Sequence, residues 1–253
     1  MLVPPISTLR GFVFLGAFVA LLCPSCANKP PSGGPGTYRG VFAGTAEAGT
    51  VEVTVGEARS GPLPASGTID LGGKVVSLSG TLDQSSASLS LSSTDGYQLA
   101  GISRPAYVFG SYQDTRDYGT FALILEPATS SPIQLFCGSL VDTSTTGTTP
   151  SQTFPFAVTA VPSGAAICVG LNNVWFGGLY ASDGLSCGTG STQISGYVDA
   201  DGGNQWGTGT DDQGNGDYGT WTVAPCGGGA ADGGVDSGAD NGPDAGASGV
   251  ADG

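Results

Sequence analysis

The amino-acid sequence predicts an all-β protein made of two tandem antiparallel up-and-down β meanders or barrels, with disordered termini. Three observations carry this. Short apolar/polar alternating runs recur at about ten-residue spacing between Gly-, Ser- and Asp-rich turns. Only 11% of residues are charged, with seven Lys plus Arg, so outward positions carry Ser, Thr and Gly rather than helix formers. Finally, Asp117-Tyr118-Gly119-Thr120-Phe121 returns as Asp217-Tyr218-Gly219-Thr220-Trp221, offset by 100 residues. Tyr38-Arg39-Gly40-Val41-Phe42 returns as Phe136-Cys137-Gly138-Ser139-Leu140, offset by 98. A single continuous β-sandwich built from both halves is the alternative architecture.

Residues 1–26 read as a signal peptide. Gly11 to Leu22 is an unbroken apolar run of twelve residues after Arg10. At about 1.5 Å per residue it reaches ~18 Å, short of a ~30 Å hydrocarbon core. That length fits an export signal rather than a span. Cys23-Pro24-Ser25-Cys26 resembles a bacterial lipobox, which would make Cys26 the lipidated residue. Ser25-Cys26-Ala27 also fits ordinary cleavage. The first reading is preferred. It expects a membrane partner through a lipid anchor and an outer-membrane or cell-surface location. The second expects a soluble secreted or periplasmic protein. Residues 27–36, rich in Pro and Gly, are expected to be a flexible tether.

The first unit spans 37–127. Strands are expected near 37–45, 50–57, 66–71, 74–83, 86–92, 97–103, 106–113 and 119–126. Val51, Val53 and Val55 share one face, as do Leu89 and Leu91 between serines. Connections as short as Gly72-Gly73 force antiparallel neighbours. Residues 128–132 form a linker. The second unit spans 133–226, with strands near 133–141, 154–161, 165–171, 174–181, 192–199, 204–210 and 218–224. Pro155 lacks an N–H, so its strand is expected at an edge or to begin after it. Residues 227–253 repeat Asp among Gly, Ala and Ser and are expected to be a disordered acidic tail.

Four cysteines fall in the second unit, and an exported protein meets an oxidising compartment, so two disulfides are expected. The pairing Cys137–Cys226 joins the unit's first strand to the end of its last. Barrel closure would set those strands side by side. Cys168–Cys187 follows, tying a strand to the loop beyond its neighbour.

Gly36, Tyr38, Gly40, Phe42 and Gly44 open the first unit, and Tyr118, Gly119, Thr120 and Phe121 close it. This pattern of Gly-punctuated strands with a final Tyr-Gly-Thr-aromatic motif resembles the lipocalin-like (calycin-like) β-barrel domains of secreted bacterial proteins and lipoproteins. The resemblance covers both units and implies barrels.

The chain contains no His, which excludes Ser-His-Asp and Cys-His catalysis and His-ligated metal. No catalytic residue is singled out. The formal charge of −14 repels phosphate backbones, so no nucleic-acid partner is expected. Asp199, Asp201, Asp211, Asn215 and Asp217 sit in two oxygen-rich loops. They read as polar turns, with calcium the cation their hard oxygens would take. Otherwise no cofactor is expected. Trp175, Tyr180 and Trp206 belong to a dense aromatic set. They read as core filling beside glycines or as a cup for a small apolar or sugar ligand. The function expected is a non-enzymatic binding or structural module. The alternatives are a carbohydrate-active enzyme using paired carboxylates and a barrel-type protease inhibitor.

Overall fold

The alternating runs of the first half pair in sequence order, each with the next. They form β1 (Gly36–Gly44), β2 (Ala48–Val55), β3 (Leu63–Asp70), β4 (Val75–Asp83), β5 (Ser88–Ser92), β6 (Gln98–Ser103), β7 (Tyr107–Gln113) and β8 (Tyr118–Leu125). β8 returns to pair with β1, so the eight strands close into an antiparallel barrel. In the second half β9 (Gln134–Thr143), β10 (Gln152–Ala160), β11 (Ala165–Gly170), β12 (Asn173–Leu179), β13 (Gly184–Thr189), β14 (Thr192–Val198), β15 (Gly207–Asp212) and β16 (Tyr218–Pro225) do the same, and β9–β16 is the closing seam. The architecture is two tandem closed barrels, not one continuous sandwich. The computed structural model describes residues 32–127, 132–143, 151–162, 164–179, 184–189, 192–198, 207–212 and 218–227. The signal peptide, Cys26 and the acidic tail lie outside the described residues.

The two motif echoes are the two closing seams. Gly40 faces Leu123 across β1–β8, and Gly138 faces Val223 across β9–β16. Phe42 faces Phe121 where Leu140 faces Trp221. Each seam glycine allows a close approach of its neighbour strand. A Cβ on Gly40 would stand 1.9 Å from the Ala122 carbonyl oxygen, and one on Gly138 would stand 2.0 Å from that of Thr222. The offsets of 98 and 100 therefore carry one register into both barrels.

Inward positions fill each barrel. Tyr38, Phe42, Ile69, Leu82, Leu91 and Phe121 lead the first core, and Phe136, Phe156, Val158, Ile194 and Trp221 the second. A third cluster lies between the barrels. Val41 and Ala43 of β1 and Ala122 and Ile124 of β8 pack on Ala157 of β10 and Ile167 and Val169 of β11. Tyr107 and Phe109 close it against Phe176, with ring centroids 5.0 and 5.2 Å apart. These outward-facing apolar residues explain why strict alternation lapses at Tyr107-Val108-Phe109.

Both expected disulfides are present. Cys137 in β9 and Cys226 just after β16 clamp the seam, with Cα atoms 4.9 Å apart. Cys168 and Cys187 join β11 to β13 inside the barrel, with Cα atoms 6.3 Å apart. Cys187 thus lies in a strand, not a loop. β13 is the eighth strand of the second unit, where the sequence reading has seven. Its Gly-Leu-Ser-Cys-Gly-Thr run has weak intrinsic strand preference, and pairing with β12 and β14 supplies what propensity lacks. The tether reading is also corrected at its end. Gly33 is buried and its N–H donates to Ser103 Oγ (2.9 Å), while the Tyr38 hydroxyl donates to the Gly34 carbonyl (2.9 Å). The segment leading into β1 is tucked beneath the first barrel.

Candidate functional site

In an up-and-down barrel the odd-numbered turns lie at one end, here called the mouth. In the first barrel these are the β1–β2, β3–β4, β5–β6 and β7–β8 turns, and side chains fill the opening. Tyr112 is 1% exposed and packs on Phe42 with centroids 4.5 Å apart. Tyr97 lies beside it at 6.4 Å, and Lys74 covers Tyr97 with Nζ 4.9 Å from the ring centroid. Asp117 ties the turns together. Its Oδ1 accepts the N–H groups of Thr45 (2.6 Å), Ala46 (3.3 Å) and Tyr118 (2.9 Å) and the Thr45 hydroxyl. Its Oδ2 takes the space beside Gly44, where a Cβ would stand 2.0 Å away.

Glu47, Tyr112 and Asp114 in this mouth are perturbed. Burial raises Glu47, and the charges of Asp117 and Asp114 raise it further. Burial also raises the Tyr112 phenol, again reinforced by Asp114 and Asp117. Burial alone would raise Asp114. Hydrogen bonds from the Arg116 and Asp117 N–H groups and the Tyr112 and Tyr97 hydroxyls outweigh it and hold Asp114 below the ordinary range.

The second barrel's mouth is built differently. β10 pairs with β9 from Gln152 onward, but with β11 only from Phe156 onward. Residues 152–155 therefore overshoot the β11–β12 turn, with β9 as their one ladder neighbour among the described residues. Pro155 sits in this stretch, where a residue without an N–H is tolerated. β10 consequently begins before Pro155, not after it. The notch above the turn is a pocket of about 210 Å³. Phe154, Phe156 and Trp175 supply its aromatic walls, Leu140 and Leu171 its aliphatic surface, and Asp142, Asn172 and Asn173 its polar groups. Asp142 Oδ1 is buried with no hydrogen-bond partner. An acceptor left so costs ~1–3 kcal/mol, which a ligand's donor or charge would recover. The first barrel holds the turn in place, because the Thr120 hydroxyl donates to the carbonyls of Gly170 and Asn173 (3.3 Å to the latter). Thr120 lies near the start of β8, just after a mouth turn, so both mouths open on the same side.

Of the residues singled out from the sequence, Trp175 lines this pocket. Tyr180, Trp206, Asp199, Asp201, Asn215 and Asp217 lie outside the described residues. Asp211 falls in β15 rather than in the turn beyond it. It and Asp142 are both cross-strand partners of Gly219, one on each side. Among the described residues no three acidic or thiol side chains gather as metal ligands. The sequence reading missed Asp142, Phe154, Asn172 and Asn173. The offset of 98 could have flagged the first of these, since it aligns Asp142 with Gly44.

Family profiles, curated proteins and solved structures were compared with the chain, and none matches. Fold and site alone define the class: a two-barrel β protein whose second barrel carries a pocket at one end.

Proposed function

We propose that this protein is an exported envelope lipoprotein that binds a small ligand at the mouth of its second barrel. The carrying observation is the contrast between the two mouths. Tyr112, Phe42 and Asp117 fill the first, whereas the second holds a pocket of about 210 Å³ walled by Trp175, Phe154 and Phe156. Eight-stranded barrels with a site at one end agree with the lipocalin-like resemblance. The first barrel serves as scaffold, since it buttresses the turn that carries Leu171 and Asn172. The two disulfides suit an oxidising compartment.

Lipidation at Cys26 would orient the site. Gly33, which is buried, lies seven residue steps beyond Cys26, at most ~25 Å of extended chain. The base of the first barrel would then face the membrane and both mouths would face away from it. Membrane fractionation tests the anchor: Cys26→Ser is expected to move the protein into the soluble fraction. Equal membrane partition of the two forms would overturn the lipoprotein reading.

One observation favours a second reading. Asp142 and Asp211 share a row with Gly219, and two strand spacings of ~4.8 Å set their Cα atoms up to ~10 Å apart. Paired carboxylates at that scale serve glycoside hydrolysis. Release of nitrophenol from a panel of nitrophenyl glycosides, lost in both Asp142→Asn and Asp211→Asn, would establish it. No release would leave binding as the function.

A further inference from the structure

We propose that the pocket of the second barrel selects a substituted ammonium cation of about choline size. This rests on the reading of that pocket as the binding site, and deepens it by naming the ligand's chemistry.

The argument starts from the row of residues around Gly219. In the first barrel the corresponding row is Gly44, Gly119 and Tyr112. There a phenol fills the opening and a glycine leaves room for Asp117. In the second barrel the same row reads Asp142, Gly219 and Asp211. The position of the stopper and the position of the glycine have both become aspartates. Leu140 stands where the first barrel has Phe42, and Trp221 where it has Phe121. At the register positions of Asp211 and Asp142 a phenol and a glycine give way to two aspartates.

The residues around the pocket fit one kind of guest. Asp142 lies in its wall with Oδ1 buried and unpartnered, and among the described residues no Lys or Arg lines the pocket. Aspartate side chains are negative at neutral pH, so the cavity attracts positive charge. Three of its walls are aromatic, and aromatic faces attract cations, alkylammonium groups included. A divalent metal ion would need several oxygen ligands, which an aromatic wall does not supply. A neutral sugar would leave Asp142 without a counter-charge. A cavity of about 210 Å³ has room for a guest of choline size.

Isothermal titration of the mature exported chain tests this. The probes are choline, its neutral isostere 3,3-dimethylbutan-1-ol, methyl α-glucoside and calcium chloride. Choline is expected to bind at least tenfold tighter than the isostere, and more weakly as salt rises. Asp142→Asn is expected to lose at least tenfold in choline affinity. Phe154→Leu, which removes one aromatic wall, provides a second readout should Asp142→Asn fail to fold: choline affinity is expected to fall while any binding of the neutral isostere is kept. Equal binding of choline and the isostere, or binding of only the glucoside or only calcium, would overturn the cation while leaving a ligand at this mouth. If no probe binds and none alters Trp175 fluorescence, the pocket reading itself fails.

Discussion

Gly138→Ala puts the barrel closure under direct test. The added Cβ would stand 2.0 Å from the Thr222 carbonyl oxygen and 2.7 Å from Val223 Cα. Both are backbone atoms, so no side-chain rotation relieves the clash. Restoring an ordinary 3.4 Å contact needs a shift of about 1.4 Å between β9 and β16. The strands resist it, because Cys137–Cys226 clamps one face of the seam and fully buried Trp221 packs on the other. Overpacking of this kind costs ~1–3 kcal/mol, and loss of one ladder hydrogen bond adds ~0.5–1.5. Reduced freedom of the unfolded chain returns ~0.4–1 kcal/mol. The net is about 0.5–4 kcal/mol, or roughly 1–16 °C in Tm for a chain of this size. Gly184→Ala is the control, since its Cβ would meet nothing within 4 Å. Thermal unfolding followed by circular dichroism at pH 7 reads both variants. A Gly138→Ala protein melting within 1 °C of wild type would refute the close approach at the seam.

Three further outcomes follow from the same geometry. Replacing both Cys137 and Cys226 by Ser removes a loop closure spanning 89 residues, worth up to ~4.6 kcal/mol, and replacing Cys168 and Cys187 removes one spanning 19, worth ~3.3. Urea unfolding is expected to show the larger loss for the first pair, and the reverse order would contradict the chain-entropy account. Glu47→Gln is expected to raise Tm at pH 7. The folded protein holds the Glu47 proton more tightly than the unfolded chain, so wild-type stability rises as pH falls through that raised value, and the penalty stands above it. The variant's advantage should vanish below the ordinary value of 4.5, and an advantage that persists there would point to packing instead. Asp117→Ala leaves the Thr45 and Ala46 N–H groups without their acceptor and should cost ~1–3 kcal/mol. Faster amide exchange at residues 45–47 is the matching signature, and unchanged protection would exclude Asp117 as the tie.

The parts of the fold legible in the sequence are those written in period two. All eight strands of the first barrel follow from runs such as Val51 to Val55 and Ser88 to Ser92. The echo around Gly40 and Gly138 points to both seams, because close strand approach demands a residue without Cβ. Cys137 and Cys226 follow from closure itself. What escaped reading depends on neighbours. β13 has too few β-formers to stand out and exists through its two ladders. Gly33 looks like a linker residue until Ser103 meets it. Tyr107, Phe109 and Phe176 could face a ligand or a second barrel, and only packing shows that they meet each other. Asp142 reads as one more polar residue at a strand end, because nothing local tells an Asp at a barrel mouth from one in a turn. The overshoot of β10 past β11, which makes the pocket, is a difference between two ladder lengths and has no signature in either strand alone.

The central claim is that function resides at the pocket in the mouth of the second barrel and not at the filled mouth of the first. Amide and indole chemical-shift mapping during a choline titration of the mature chain tests it most directly. Perturbations are expected at Asp142, Phe154, Asn172 and the Trp175 indole N–H, with Tyr97, Tyr112 and Lys74 unmoved. Shifts confined to the first barrel's mouth, or no shifts in either barrel, would contradict the account.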